Sequence, residues 1–425
     1  METSSHRRPK EAYENMLADL TREMSHAPST ERTAVIQNIQ PYRSVRSAYY
    51  RRINKQYPTL SGIGDPPDVW DTLTKTWEAR CSQTDEKMVI YQSVQPKMVV
   101  LSSSLDLTML HQSRHWICDG TFAYCPAGFA QLYSIHGFVC GEAVPLVVAL
   151  LPFRTAQTYD MLFTTVRSAL VEKCGSVGAL ECGHFDFEVA AINAFRTTFQ
   201  VEAKGCLFHF TQCVVRKVAA LGLQTLYRSP TDTSLKDWVR KVVGLALLPV
   251  ELVLPHWHQS LLLQVPSTGN CRLDAAINLL KSYISTQWLC SPEQVQLWNF
   301  SQDSDNLRTT NHAEGWHNSL RLKFRSQPHM ALSKFLTDFQ RVIHHYNQIR
   351  IQQLLRGEVP TTTRMEYERN NAEIMQLKQD LSRYWNVYRS LPLEPPFRTH
   401  TDMFAHRINV FLSSVANNLG LNDTT

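Results

Sequence analysis

The stretch Trp116-Ile117-Cys118-Asp119-Gly120-Thr121-Phe122 places one carboxylate inside an otherwise apolar run of strand-forming residues. Side chains alternate along a strand, so Asp119 and Cys118 face opposite sides of the sheet. A carboxylate in such a strand is costly unless it is paired or bound to a cation. Gly120 would let a backbone or a ligand approach closely, whereas the alternative interpretation of an Asp-Gly pair is a turn. By itself an Asp-Gly pair is more often a turn, so the stretch predicts a strand with a candidate functional acid and leaves the turn open.

The sequence on both sides of this stretch alternates between short apolar runs and amphipathic runs. The patterns predict strands at residues 88–91, 98–101, 116–122, 131–139, 144–151, 185–187 and 203–208. Helical spacing is found at residues 106–112, 158–172, 189–195 and 214–221. From residue 116 onward the order is three strands, helix, strand, helix, strand, helix. This order predicts an α/β fold with an RNase H-like core.

Five regions are predicted, since 425 residues exceed what one simple core usually holds. We expect an N-terminal helical region at 1–84, the first part of the core at 85–221, a helical insertion at 222–305, the final core helices at 306–350, and a C-terminal helical region and tail at 351–425. A long helix is predicted from Ala331 to Leu355, with an apolar stripe at Phe335, Phe339, Val342, Tyr346 and Ile349. A polar helix is predicted from Arg364 to Tyr388, and the end, from Leu391, is expected to be weakly helical.

The composition is typical of a folded intracellular protein. Hydrophobic residues make up 43% and aromatic residues 10%, so most of the chain should fold. The ten cysteines form no Cys-x-x-Cys pair, which argues against a disulfide framework and against a standard zinc finger. Residues 1–10 lack the apolar core of a secretory signal, and the apolar stretches are too short or too interrupted to span a bilayer. We expect no membrane partner, and the net charge of +5 permits a polyanionic partner without requiring one.

A second acid, Asp186, also interrupts a short apolar run, in His184-Phe185-Asp186-Phe187-Glu188. Asp186 and Glu188 share a face if the strand continues through both residues. If a helix begins at Glu188 instead, that residue serves the helix N-terminus. We therefore favour Asp186 as the functional acid of this segment.

A third acid, Glu314, lies in the polar segment from Arg308 to Asn318. If this segment opens a helix, one face carries four polar side chains, those of Asn311, Glu314, His317 and Asn318. The alternative role is capping, with Thr310 or Asn311 as the N-cap residue and Glu314 in the first turn. The two roles are compatible.

Three carboxylates in one site suit phosphodiester chemistry. In-line attack uses one metal ion to activate the nucleophile and another to stabilise the leaving oxygen, about 4 Å apart. Carboxylate oxygens suit Mg²⁺ or Mn²⁺. Asp119, Asp186 and Glu314 are accordingly the predicted ligands of two divalent ions.

Several short motifs follow one another between residues 119 and 318. They are Asp119-Gly120-Thr121-Phe122, then Pro126, Phe129, Gln131-Leu132-Tyr133 and Ile135-His136-Gly137, then Val144-Pro145-Leu146 with Ala149-Leu150-Leu151-Pro152, then Asp186-Phe187-Glu188, then Gly205-Cys206 with Phe208-His209-Phe210 and Gln212, then Trp298-Asn299, and finally Thr310-Asn311 with Glu314-Gly315-Trp316-His317-Asn318. By these motifs in this order, the segment from about residue 87 to 345 resembles the transposase domain of Mutator-like elements, the MULE family.

This resemblance implies an RNase H-like fold on which Asp119, Asp186 and Glu314 form an Asp-Asp-Glu metal triad that excises and reinserts DNA. It also implies that the partners are the terminal repeats of an element and a target DNA, with a nuclear location and a homo-oligomeric state. The chain departs from the family at Phe185, where a small hydroxylated residue is expected, and at His312, a position often held by asparagine. An N-terminal zinc-finger module is common in the family, and no Cys/His cluster precedes Cys81.

Other residues are supporting or DNA-contacting candidates. Cys206 and His209 form a Cys-x-x-His pair that we interpret as mainly structural, because two ligands do not make a zinc site, and zinc is not expected. Trp316 could stack on an extruded base, although core packing is the favoured role. The run from Tyr42 to Lys55 contains no acid and fits a DNA-backbone contact as well as a solvated helix face. Its basic candidates are Arg43, Arg46, Arg51 and Arg52.

The favoured hypothesis is a MULE-type DNA transposase, or a protein derived from one, that performs metal-dependent DNA strand cleavage and transfer. The alternative is a domesticated, non-cutting DNA-binding or regulatory protein, which the missing zinc-finger pattern favours. A third interpretation is a ribonuclease of the same fold, which would prefer an RNA–DNA hybrid to duplex DNA.

Overall fold

The computed structural model describes residues 88–302, 311–323, 345–358, 365–390 and 397–418, together with individual positions between 13 and 48 and between 332 and 344. Its centre is a seven-stranded mixed sheet in the order β1-β2-β5-β4-β3-β6-β7. The strands are β1 Val89–Val94, β2 Lys97–Leu101, β3 His115–Thr121, β4 Gln131–Val139, β5 Glu142–Leu151, β6 Cys182–Phe185 and β7 Glu202–Gly205. The pairs from β1 across to β3 are antiparallel, and the pairs β3–β6 and β6–β7 are parallel. The predicted α/β class is confirmed.

Strand β3 lies where the antiparallel half of the sheet meets the parallel half. Its side chains alternate between the two faces, as the sequence predicts. Trp116 and Cys118 belong to the core under one face, together with Tyr159 and Phe163. Asp119 points to the other face and pairs in register with Ser134 of β4. Because Asp119 and Gly120 lie within the β3–β4 ladder, the alternative interpretation of this pair as a turn is wrong.

Among the helices that pack on the first face of the sheet are α1 Ser104–Gln112, α2 Ala156–Cys174 and α3 Val189–Phe199. Helix α1 begins with a capping box, in which Ser103 accepts from the Asp106 backbone and Asp106 accepts from the Ser103 backbone. Such reciprocal hydrogen bonds satisfy two amide groups that the first turn leaves without partners. Thr155 caps α2 in a similar way through its hydroxyl.

A second core is built from helices beyond the sheet. It contains α4 Leu207–Ala220, α5 Gln224–Tyr227, α6 Ser234–Gly244, α7 Val250–His256, α8 Cys271–Gln287 and α9 Pro292–Trp298. A 3₁₀ turn at Leu245–Leu247 and a π turn at Trp257–Leu261 connect some of these helices. Phe210 of α4 stacks on Trp298 of α9, with ring centroids 4.6 Å apart. This contact joins the predicted insertion to a helix that directly follows the sheet.

The remaining helices are α10 Asn311–Lys323, α11 His345–Leu355, α12 Met365–Ser390 and α13 Phe397–Asn418. Helix α10 packs Trp316 and Leu320 on the second face of the sheet, against Leu132 and Leu150. Helices α12 and α13 join the core of the insertion, where Lys378 donates to the Phe300 carbonyl.

The end of the chain, expected to be weakly helical after Leu391, contains the 22-residue helix α13, which buries an apolar face. The predicted stripe before it is also corrected in part. Phe335 and Phe339 are buried, but Ile349 is 42% exposed. Val342 and the side chain of Tyr346 lie outside the described residues.

Within the parts of the chain that are described, none of the helices combines the length and the hydropathy that crossing a bilayer requires.

Two strand ends differ from the prediction. The strand expected through Phe187 stops at Phe185, and Phe187 has a φ of 67°, in the left-handed region. The strand expected through Phe208 stops at Gly205, because Cys206 is the N-cap residue of α4. Both segments are apolar, so their hydropathy hides the point at which the chain turns away from the sheet.

Candidate functional site

Asp119 is a buried carboxylate at the end of β3, with 5% of the residue exposed. Its Oδ1 accepts a hydrogen bond of 2.9 Å from the backbone of Gly120. A Cβ atom at position 120 would lie 2.6 Å from Oε1 of Gln131. The close approach that the sequence suggested at Gly120 is therefore made by the side chain of Gln131.

A polar chain on α10 and β4 holds the Asp119 carboxylate. His317 places Nδ1 3.3 Å from Oδ2 of Asp119 and Nε2 3.0 Å from the hydroxyl of Ser134. The Ser134 hydroxyl also lies 3.0 Å from Nε2 of His136 and 3.3 Å from the backbone oxygen of Asp119. All four residues are buried, so the network stabilises a charged group within the protein.

Asp186 lies directly after β6, close enough to Asp119 for the two charges to interact. Its Oδ1 accepts from the backbone N–H of Glu188 at 3.3 Å. The left-handed conformation of Phe187 turns the chain at this point, and its ring packs on Trp288 with centroids 5.0 Å apart. A bulky residue with positive φ is uncommon and often marks a functional segment. Burial and the negative charges of Asp119 and Glu188 raise the pKa of Asp186.

Glu188 does not cap the helix that follows it. Helix α3 begins at Val189, and the Glu188 side chain makes no cap hydrogen bond. Instead, Oε1 of Glu188 pairs with Nε of Arg154 at 3.0 Å, and the Arg154 guanidinium lies 5.0 Å from the ring centroid of Phe122. Phe122 is 48% exposed. This Arg154–Phe122 pair was missed in the sequence, although Phe122 directly follows β3 and Arg154 comes three residues after the end of β5.

Glu314 is in the first turn of α10, and its Oε1 lies 3.3 Å from Nε2 of His209 on α4. Burial raises the pKa of Glu314, and the charges of Asp119 and Asp186 add to this effect. Burial alone would lower the pKa of His209, but its contact with Cys206 and the charges of Glu314 and Asp186 raise it to about 9. His209 therefore carries a positive charge at neutral pH beside two carboxylates.

The three acids thus form one electrostatically coupled cluster at the sheet edge. Cys206 is buried at the start of α4, and its backbone N–H donates to the Phe185 carbonyl at 2.7 Å. Cys206 thus packs at the start of α4, while His209 faces Glu314. The residues of this site therefore come from β3, from the connection between β6 and α3, from α4 and from α10.

The other predicted site residues occupy different environments. Trp316 is 9% exposed and lies edge-on to His136, so the structure favours core packing over base stacking. Asn318 is exposed on α10, and the side chain of Asn311 lies outside the described residues. Arg43 and Arg46 are exposed in a helical stretch at 42–48, whereas Arg51 and Arg52 lie outside the described part of the chain.

A second cluster was missed by the sequence analysis. Across the described ranges, His115, Cys182 and His184 form the only trio of His, Cys, Asp or Glu side chains whose ligand atoms all lie within 4.8 Å of one another. The three acids are spaced more widely than this limit. No local sequence pattern reveals this cluster, because His115 and Cys182 are far apart in sequence and meet only through strand pairing.

Comparisons of the chain with protein-family models, with characterised proteins and with solved structures find no match.

Proposed function

We propose that this protein is a transposase of the Mutator-like type, or a protein derived from one, that cleaves and transfers DNA strands using divalent ions held by Asp119, Asp186 and Glu314. The observation that carries the proposal is the meeting of these three acids at one sheet edge, from three separate elements. Two of them have raised pKa values because they are buried near other negative charges. Such crowding is typical of a site that a cation completes.

The sheet supports the RNase H-like part of the proposal. Strands β5, β4 and β3 are antiparallel neighbours, and β6 and β7 follow β3 in parallel. Three antiparallel strands continued by two parallel ones, with helices between the parallel strands, is the arrangement of RNase H-like folds. Asp119 lies on the central strand and Asp186 follows its parallel neighbour, and this arrangement supports the proposal.

The donor set suits hard divalent cations. Asp119, Asp186 and Glu314 offer only carboxylate oxygens, which Mg²⁺ and Mn²⁺ prefer. When bound, the ions would activate the attacking oxygen and stabilise the leaving oxygen of a phosphodiester. A cation would also offset the repulsion that raises the pKa values of Asp186 and Glu314.

The protein's own side chains would position these groups. His317 holds the Asp119 carboxylate in one orientation through its 3.3 Å contact. His209 is a cation beside Glu314 and could donate a proton or a hydrogen bond to a phosphate oxygen. Arg154 and Phe122 provide a cationic and an exposed aromatic surface at the rim, which suits a nucleic-acid strand. A protein with this function would act on DNA ends in the nucleus, as a homo-oligomer.

The direct test is strand cleavage by the purified full chain. Supercoiled plasmid and duplexes carrying the sequences that flank the gene are incubated with Mg²⁺ or Mn²⁺, and nicked product is quantified. We expect nicking that Asp119→Asn and Glu314→Gln each reduce by about 10²-fold or more. Asp160→Asn, on the exposed side of α2, is the matched control and should cleave normally. Equal nicking by all variants would refute the triad, and a preference for an RNA–DNA hybrid would indicate a ribonuclease.

The second candidate is a DNA-binding protein that does not cut. The contact between His209 and Glu314 favours it, because His209 already supplies a positive charge where a metal ion would bind. DNA binding with no divalent-ion-dependent nicking, unchanged in Glu314→Gln, would support this candidate over the transposase.

A further inference from the structure

A cluster of metal-ligand side chains lies at the beginning of β3 and β6, away from the three acids. His115, Cys182 and His184 bring one ligand atom each within 4.8 Å of the others. Nε2 of His184 lies 3.4 Å from Nδ1 of His115, and the ring centroids are 5.5 Å apart. These residues take no part in the proposed strand-cleavage chemistry.

Strand register explains why the three side chains meet. In the parallel β3–β6 pair, His115 lies opposite Cys182 and Ile117 lies opposite His184. Cys182 and His184 are two residues apart on one strand, so both face the same side of the sheet. His115 is the register partner of Cys182 in this parallel pair, so it lies on that side too.

We propose that His115, Cys182 and His184 bind a transition-metal ion, with zinc as the ion that this donor set suits best. Two imidazoles and a thiolate are ligands of zinc, which is usually tetrahedral in proteins. His184 and Cys182 are buried, whereas His115 is half-buried at the edge. A water molecule would supply the fourth ligand of a tetrahedral ion held by these three side chains. Binding releases the Cys182 thiol proton to solvent.

The state of His184 supports a metal site independently of the spacing. Its Nδ1 is buried and has no hydrogen-bond partner among the described residues, and its other nitrogen has only the long contact to His115. An imidazole nitrogen that is buried without a partner can serve as a ligand for a metal ion.

The cluster is separate from the carboxylate site. Asp119 is four residues beyond His115 on β3, or about 13 Å along the strand. The donors also differ, since nitrogen and sulfur suit zinc and carboxylate oxygens suit Mg²⁺ or Mn²⁺. A metal ion at the cluster would tie together the two strands that carry Asp119 and lead to Asp186. Next to the cluster, a bidentate ion pair between Arg114 and Glu181 already joins the residues that directly precede β3 and β6.

The test measures metal content and spectrum, and does not depend on DNA cleavage. The full chain is stripped with a chelator, reloaded with Zn²⁺ and dialysed, and its zinc is measured by mass spectrometry. We expect about one zinc ion per chain, lost in Cys182→Ser and in His115→Gln. Reloading with Co²⁺ should give a thiolate-to-cobalt charge-transfer band that Cys182→Ser abolishes. Cys271→Ser, at an exposed cysteine, is the matched control and should keep both the ion and the band.

His115→Gln protects the test against misfolding, because His115 lies at the half-exposed edge and glutamine keeps its polarity. Circular dichroism verifies that each variant is folded. The proposal is overturned if the wild-type chain retains no zinc and gives no cobalt band. It is equally overturned if the band survives in folded Cys182→Ser but disappears in Cys206→Ala, since the ion would then lie at the Cys206–His209 pair.

Discussion

His317 on α10 lies with its Nδ1 3.3 Å from Oδ2 of Asp119 on β3, while its Nε2 contacts Ser134 on β4. One imidazole thus links a helix beyond the insertion to two neighbouring strands of the sheet. The contact orients α10 so that Glu314, one turn before His317, faces the same sheet edge as Asp119. The position of the third acid therefore depends on this histidine as well as on the apolar packing of Trp316 and Leu320.

We expect His317→Ala to destabilise the protein by about 1–3 kcal/mol, because the buried Asp119 and Ser134 each lose one hydrogen-bond partner. Strand cleavage should also fall, since the Asp119 carboxylate loses its orientation. Chemical denaturation and the nicking assay measure the two effects. Asn318→Ala, at the exposed neighbouring residue, should change the free energy of unfolding by less than about 0.5 kcal/mol. Equal stability of both variants would contradict the structural role of His317.

Asp186→Asn should raise the unfolding temperature of the metal-free protein at neutral pH. The pKa of Asp186 is raised by burial and by the charges of Asp119 and Glu188, so the ionised carboxylate is disfavoured in the folded state. The resulting destabilisation is present above the raised pKa and disappears below the ordinary value of 3.8. The difference between variant and wild type should therefore vanish in acid. Thermal unfolding in chelator at a series of pH values measures it.

The Asp186→Asn variant also distinguishes the effect of charge repulsion at Asp186 from the effect of metal binding. Mg²⁺ or Mn²⁺ should stabilise the wild-type chain, because a ligand that binds only the folded state shifts the unfolding equilibrium. Asp186→Asn should lose most of this stabilisation. A variant that responds to Mg²⁺ as strongly as wild type would show that Asp186 is not a ligand.

Gly205→Ala should destabilise the protein and disturb the Asp186 segment. A Cβ atom at position 205 would overlap the ring of Phe187, the residue between Asp186 and Glu188. We expect a loss of about 1–3 kcal/mol, the usual effect of overpacking, together with weaker divalent-ion binding. The control is Gly315→Ala, where an added Cβ meets no atom of the described residues within 4 Å. Urea denaturation compares the two, and unchanged stability of Gly205→Ala would contradict the packing argument.

His256 should make stability depend on pH below neutrality. Burial and the nearby charge of Lys241 lower its pKa to about 4, against a contact with Asn409 that raises it. In the unfolded chain, the His256 imidazole binds a proton near pH 6.5. In the folded chain it binds this proton only near pH 4. The free energy of unfolding should therefore fall as pH drops through this window, by about 3 kcal/mol at most. His256→Gln should flatten this part of the profile, and a variant with an unchanged profile would contradict the assignment.

Leu412→Ala tests whether α13 belongs to the core of the insertion. Leu412 is fully buried and packs against Gly244 of α6. Removing its side chain should cost about 2–5 kcal/mol, as for other buried leucines. Val410→Ala, on the same helix but 50% exposed, should change stability by less than about 0.5 kcal/mol. Similar small effects at both positions would show that α13 is not part of this core.

Much of the sheet could be predicted from local patterns. Strand β4 has the predicted bounds, and β3 differs by one residue at each end, because alternation and runs of apolar residues depend only on near neighbours. The stop after Phe185 could not be predicted. Phe187 is apolar like a strand residue, but its ring fits between Gly205 and Trp288, and that packing turns the chain.

The sequence by itself determined the α/β class, the strand that carries Asp119 and the three acids as candidates, because hydropathy period and an acid in an apolar strand are local properties. Only the tertiary structure decided which side chains surround those acids. His317 reaches Asp119, His209 reaches Glu314, and His115 meets Cys182 and His184. These contacts depend on strand register and helix packing between segments far apart in the chain, and no local pattern encodes the distance between two such segments.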